Sequence, residues 1–182
     1  MLDPVTKTIM ETSGDYQYMH TWTTPTELPS LQDANIIAID LETCDPNLKK
    51  YGPGWATDNG EILGISIATD TGIAEYFPIG HSGGNMDAKT VLAWLKKELE
   101  TDIDKVFANN YYDCGWLSSY NIWPGGNWYD IQIAAPLLDE HKFSYSLDNL
   151  GAEYCDEHKD ESGLIAAAAL NGIAEKTIKE LL

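Results

Sequence analysis

A short apolar run that ends in two carboxylates constrains the fold of this chain more than any other segment. Ile36-Ile37-Ala38-Ile39 is followed directly by Asp40-Leu41-Glu42-Thr43. Residues two apart in a β-strand point to the same side, so Asp40 and Glu42 are predicted to share one face. Carboxylates that close repel each other unless a cation lies between them, and Mg²⁺ prefers oxygen ligands. The segment therefore predicts either a metal site on a buried strand or a strand that ends in an acidic turn.

The order of apolar patterns along the chain predicts a mixed α/β sheet with helices packed on it. The first strand, 36–40, is followed by a predicted hairpin with strands at 61–69 and 73–79, because apolar residues alternate there. A helix and a short strand come next, which is typical of a mixed sheet. The remaining predictions are a loop at 45–60, helices at 87–100 and 113–120, a strand at 106–108, an element beginning at 128–132, and helices at 131–138, 147–154, 164–170 and 177–182.

The charge of the chain limits how it can bind nucleic acid. It has 29 acidic residues and 11 lysines, with no arginine, and a net charge of −18. This charge excludes binding by general electrostatic attraction, but not an enzyme that grips a strand end through metal ions and a few local contacts.

Cysteine usage and hydropathy indicate where such a chain works. The three cysteines lack paired spacing, so they predict neither a disulfide framework nor a zinc site. No apolar run is long enough to span a bilayer, and the first residues do not have the pattern of a signal peptide. A cytoplasmic location is expected, in the host cytoplasm if the source is viral, with no membrane partner.

A second acidic motif follows the short strand predicted at 106–108. Asn109-Asn110-Tyr111-Tyr112-Asp113 places Asp113 at the beginning of a predicted helix. A carboxylate in that position is stabilised by the helix dipole. Asp113 is therefore either an ordinary N-terminal cap or a functional acid, and the motif alone does not decide between them.

Taken together, these motifs resemble a known family of nucleases. The segments 38–43 and 109–113 are similar to the first two motifs of the DEDD 3′–5′ exonucleases. Gly64-Ile65-Ser66-Ile67-Ala68 and the segment 74–81 resemble the β-hairpin of the proofreading domain of family A, polymerase I-type, DNA polymerases. Asp130 and the segment 145–150 are similar to that family as well. On this basis, 1–33 is predicted to be an N-terminal extension and 34–182 an exonuclease domain.

The resemblance implies a ribonuclease H-like fold and two-metal hydrolysis at the 3′ end of single-stranded DNA. Asp40 would bridge two Mg²⁺ or Mn²⁺ ions, Glu42 would hold one of them, and Asp113 would support the other. A polymerase domain is expected C-terminal to the exonuclease domain. The residues expected to shape the site or contact the terminal nucleotide are Thr43, Asn109 and Tyr112.

The family's fourth carboxylate has no counterpart in this sequence. It comes from a Tyr-x-x-x-Asp motif, whereas Tyr145 leads to Asn149, Tyr154 leads to His158, and no other tyrosine leads to Asp. The chain is therefore expected to be a piece of a longer polymerase that ends before this motif, with weak metal binding and greatly reduced hydrolysis. The alternatives are a catalytically inactive ribonuclease H-like scaffold or nucleic-acid-binding domain of a polymerase, and a standalone ribonuclease of the same superfamily.

Overall fold

Residues 23–160 are described by the structure, which is a computed structural model. They belong to two compact units, of which one is Thr23–Leu147 and the other includes residues 148–160. The helices predicted at 164–170 and 177–182 lie outside the described residues, as does most of the predicted extension 1–33. Residues 28–33 pack on the sheet unit, because Leu31 is 1% exposed within its core. The proposed boundary between extension and domain stays a prediction.

A five-stranded mixed sheet forms the centre of the Thr23–Leu147 unit. Its strands are β1 (Ile36–Cys44), β2 (Glu61–Thr69), β3 (Ala74–Pro78), β4 (Asp104–Phe107) and β5 (Trp128–Asp130). The spatial order is β3-β2-β1-β4-β5, with β1 at the centre. The β1–β2 and β2–β3 pairs are antiparallel, and the β1–β4 and β4–β5 pairs are parallel. The predicted mixed α/β sheet is therefore confirmed.

Six helices are found in the described residues. They are α1 (Leu48–Tyr51), α2 (Gly54–Thr57), α3 (Ala88–Leu99), α4 (Asn110–Ser119), α5 (Ile131–Leu138) and α6 (Leu147–Cys155). Two predictions are wrong here: the segment 45–60 contains two short helices, and α4 begins three residues before Asp113. No helix within residues 23–160 combines the length and the apolar composition needed to cross a membrane.

The alternation of side chains along β1 places the two acids together. Ile39 and Leu41 are buried in the core, whereas Asp40 and Glu42 are exposed on the opposite face, as the sequence predicts. β1 pairs with β4 only as far as Ala38, so the acidic part of β1 continues past the point where the ladder with β4 ends. The chain leaves β4 at that edge and enters α4, which brings the second acidic motif towards the first.

Helix α3 shows how local signals define an element of this fold. Its buried face carries Val91, Leu95 and Leu99, as the helical spacing predicts. Asp87 caps the helix, because its carboxylate accepts a hydrogen bond of 2.8 Å from the Thr90 amide. This cap is exposed, and it belongs to a helix that carries none of the acids of the two motifs.

Candidate active site

The buried carboxylate of Asp113 joins α4 to the acidic strand. Asp113 lies in the first turn of α4 and is 3% exposed. Its carboxylate accepts a hydrogen bond from the backbone amide of Leu41. Because Leu41 lies between Asp40 and Glu42, this bond brings the acid of the second motif to the two acids of the first.

The pKa of Asp113 is shifted by its burial and by the carboxylates around it. Burial, followed by the negative charge of Asp40, raises the pKa of Asp113 to about 7, and the charges of Asp130 and Glu42 act in the same direction. The hydrogen bond from Leu41 opposes the shift but does not cancel it. Within residues 23–160, no three His, Cys, Asp or Glu side chains are arranged to hold a metal ion by themselves. Near neutral pH, a proton on Asp113 thus relieves repulsion among the carboxylates.

The structure corrects the interpretation of Asp113 as a helix cap. The cap position of α4 is Asn109, which adopts the left-handed conformation at φ 73° and makes no capping hydrogen bond with its side chain. Asn tolerates this conformation better than most residues do. The turn begins when the Tyr112 amide donates to the Asn109 carbonyl at 3.0 Å. Asp113 therefore lies inside the first turn of α4, after the cap position, and its carboxylate is buried.

Thr43 and Tyr112 form a hydrogen-bonded network with Asp45. The Tyr112 hydroxyl donates to Asp45 Oδ2 at 2.9 Å, so it accepts from the Thr43 hydroxyl, which lies 3.0 Å away. Asp45 Oδ2 also accepts from the Gly54 amide at 2.8 Å. Burial raises the pKa of Tyr112, which keeps it a hydrogen-bond donor. Thr43 and Tyr112 therefore tie the end of β1 to α4.

Asp45 was not identified from the sequence, because it lies in the segment predicted to be a loop. Its other oxygen, Oδ1, is buried and has no hydrogen-bond partner among the described residues. The bond from Gly54 to Asp45 also explains why the segment folds back into α1 and α2 instead of extending into solvent. The position of Asp45 three residues after Glu42, close to the first acidic motif, is the sequence signal that this residue offered.

Tyr76 and His81 extend the site across the sheet. Asp40, Ser66 and Tyr76 lie opposite one another on β1, β2 and β3, so their side chains share one face. The Tyr76 hydroxyl is hydrogen-bonded to His81 Nε2. Burial and the charge of Glu42 raise the pKa of Tyr76, which reflects its closeness to the acidic strand.

Gly64 provides the room for Tyr76 beside Glu42. A Cβ atom on Gly64 would lie 1.9 Å from the Tyr76 hydroxyl. The register between β1 and β2 also shifts immediately after Glu42, which is a β-bulge. Bulges are common next to active sites, because they change the direction of side chains.

The segment after β1 packs on α4 through Trp55. The Trp55 ring lies so close to Gly115 that a Cβ atom there would be 2.3 Å from Trp55 Cε2. Trp55 also contacts Tyr111 edge to face, with ring centroids 5.5 Å apart. The glycine inside α4 is therefore explained by this close approach.

We expect Gly115→Ala to destabilise the protein even though Ala is the better helix former. The clash with Trp55 costs about 1–3 kcal/mol, which outweighs the gain of about 1 kcal/mol in helix propensity. In a Trp55→Ala background, the same change should become stabilising, which urea denaturation of the four variants would measure. A destabilising effect of equal size in both backgrounds would contradict the contact.

Comparisons with known proteins agree with this arrangement. No protein-family model matches the chain. A DNA-directed DNA polymerase of Pseudomonas phage M6 is 41% identical over 162 residues, which is 85% of this chain and 24% of that protein. The chain is a relative of DNA polymerases. DNA polymerase I of Pseudomonas aeruginosa is 28% identical over 134 residues, 70% of this chain and 14% of the relative. The predicted resemblance to polymerase I-type enzymes is thus confirmed, although the chain spans less than a quarter of either relative.

Solved structures share the fold. NrnC of Brucella melitensis bound to pGG has a TM-score of 0.52 and 18% identity, over 84% of this chain and 78% of that protein. The same protein with bound Mg²⁺ has a TM-score of 0.50 and 20% identity, over 74% and 61%. At these identities the likeness concerns the fold, and the predicted ribonuclease H-like fold is confirmed.

Proposed function

We propose that this chain forms the 3′–5′ exonuclease domain of a DNA polymerase, which hydrolyses phosphodiester bonds at DNA 3′ ends in proofreading. The observation that carries the proposal is the junction of the two motifs, where the Thr43 and Tyr112 hydroxyls lie 3.0 Å apart and Asp113 is buried beside the acidic strand. The polymerase relatives and the ribonuclease H-like fold support it. The remaining part of the proposal is a polymerase domain C-terminal to this chain, since the chain spans only 24% of the phage polymerase and 14% of the bacterial one.

The side chains present fit divalent cations. Asp40 and Glu42 offer exposed carboxylate oxygens on one face, and burial together with the negative charge of Asp40 raises the pKa of Asp113. Mg²⁺ is usually held by one or two carboxylates and substrate phosphate, so a closed protein cage is not required. We propose two Mg²⁺ or Mn²⁺ ions held by Asp40, Glu42 and Asp113. When bound, they would supply charge neutralisation and an activated water.

The proposed substrate is the 3′ end of single-stranded DNA. Asn109 is exposed at the start of α4, and its side chain makes no capping bond, so it is available to contact the terminal nucleotide. Thr43 and Tyr112 define the wall beside it. Because the net charge is −18, binding depends on these local contacts and on cations, and affinity for internal DNA is expected to be low.

The test is a melting experiment combined with a cleavage assay. Mn²⁺ and a short single-stranded DNA with a free 3′ end should together raise the melting temperature more than either alone. A 5′-labelled DNA should shorten by single nucleotides from its 3′ end, slowly because the fourth carboxylate is missing. Preference for an RNA strand of the same sequence would favour a ribonuclease instead.

The second candidate function is a catalytically inactive scaffold or nucleic-acid-binding domain of a polymerase. The observation that favours it is the pKa of Asp113, which burial raises to about 7, because a protonated carboxyl does not bind a metal ion. Under this candidate, Mn²⁺ leaves both the melting temperature and the labelled strand unchanged, whether or not DNA binds.

A further inference from the structure

One buried carboxylate, separate from Asp40 and Glu42 on β1, accepts hydrogen bonds from the amides of two helices. Asp130 is 7% exposed and ends β5. Its Oδ1 accepts from the amides of Gln132 at 2.8 Å, Ile133 at 3.3 Å and Asn109 at 3.3 Å. Its Oδ2 accepts from the amide of Asn110 at 2.6 Å. Four backbone donors therefore converge on one side chain.

Only half of these bonds belong to an ordinary helix cap. An N-cap residue normally satisfies amides of its own helix, as Asp130 does for Gln132 and Ile133 in α5. The other two donors belong to the beginning of α4, whose own cap residue Asn109 provides no side-chain acceptor. Those amides would otherwise lack a partner at the helix end.

The sheet explains how a residue so far along the chain reaches α4. β4 and β5 are parallel, and Phe107 pairs with Asp130 in their ladder. Asp130 therefore stands beside the end of β4, where the chain turns into α4. Its negative charge also lies at the positive end of the dipole of α4, which stabilises this arrangement.

We propose that Asp130 is the positioning residue for Asp113. By holding the amides of Asn109 and Asn110, it fixes the first turn of α4, and this turn carries the Asp113 carboxylate to the Leu41 amide. The inference rests on the proposed function only for the role of Asp113 as a metal ligand. The placement of Asp113 itself is a property of the protein without metal or substrate.

Two substitutions separate the α4 bonds from the α5 cap. Asp130→Ser keeps a hydroxyl that reaches Gln132 and Ile133, because Ser is an effective N-cap, but it is too short to hold both α4 amides. Asp130→Asn keeps an oxygen in the place of Oδ1 and turns an NH₂ group towards Asn110. Asn is the milder change and provides the test if the Ser variant does not fold.

The readout is amide hydrogen exchange at Leu41, measured by NMR on the metal-free protein. Loss of hydrogen bonds to a charged acceptor should speed exchange of the Leu41 and Asn110 amides by about tenfold or more in both variants. The amides of Gln132 and Ile133 should keep their protection. Asp113→Ala, which removes the acceptor of Leu41, gives the rate expected for complete loss.

Asp87→Ala is the matched control, because it removes a helix cap of α3 away from the site. It should lower the melting temperature about as much as Asp130→Ser does, with Leu41 exchange unchanged. If Leu41 exchanges no faster in either Asp130 variant than in the Asp87 variant, the proposal is overturned. Since exchange requires no activity, this result is independent of whether the protein hydrolyses DNA, which the assay with Mn²⁺ decides separately.

Discussion

Asp40→Asn is expected to abolish the response to divalent ions while making the metal-free protein more stable. The charge of Asp40 is the strongest electrostatic cause of the raised pKa of Asp113, so its removal relieves repulsion in the folded state. Each unit by which the pKa of Asp113 falls adds about 1.4 kcal/mol of unfolding free energy above pH 7. Losing a direct metal ligand should lower Mn²⁺-dependent hydrolysis at least about a hundredfold, since even indirect partners cost 10–100-fold.

The two effects of Asp40→Asn have opposite signs, which distinguishes them from general damage. Urea denaturation at pH 8 without metal measures the gain in stability, and the shift on adding Mn²⁺ measures binding. Glu75→Gln is a suitable control, because Glu75 is an exposed acid on β3 of the same sheet. If Asp40→Asn keeps the full gain in stability that Mn²⁺ gives the unsubstituted protein, Asp40 does not hold the ion.

Elements with strong local signals could be predicted from the sequence. The alternation from Ile36 to Glu42 predicted a strand with its two acids on one face. In the structure, both acids lie on the exposed face of β1. The hairpin of β2 and β3 and the amphipathic helix α3 were predicted for the same reason. Each pattern lies within about ten residues, so short-range periodicity is sufficient.

The contacts that organise the site could not be predicted, because they join residues distant in sequence. Asp130 caps a helix whose first amides lie 20 and 21 positions earlier, and no local pattern indicates this pairing. Trp55 in α2 packs against Gly115 in α4, which lies 60 positions later in the sequence. The beginning of α4 was misplaced because it depends on the left-handed conformation of Asn109, which tertiary bonds stabilise.

Asp113→Asn is expected to remove most of the loss of stability between pH 4 and pH 8. The pKa of Asp113 is raised from 3.8 to about 7, so the folded protein retains a proton that the unfolded chain releases. Unfolding free energy therefore falls as the pH rises from about 4 and levels off above about 7, with an upper bound of roughly 4 kcal/mol from this group. Asn is neutral and can still accept the Leu41 amide, so the variant should be more stable than the unsubstituted protein at pH 8.

The informative quantity is the difference in unfolding free energy between Asp113→Asn and the unsubstituted protein, because all other acids are present in both. Urea denaturation at pH 5, 7 and 8.5 gives this difference, and Asp33→Asn, at an exposed position, should show none. Mn²⁺ should restore stability to the unsubstituted protein above pH 7, by about 2.7 kcal/mol at a hundredfold excess over its Kd, because a cation then replaces the proton. Mn²⁺ should restore much less stability to the Asp113→Asn protein. Parallel stability curves for the two proteins from pH 5 to 8.5 would mean that the carboxylate of Asp113 is solvated, and no shared cation site could then include it.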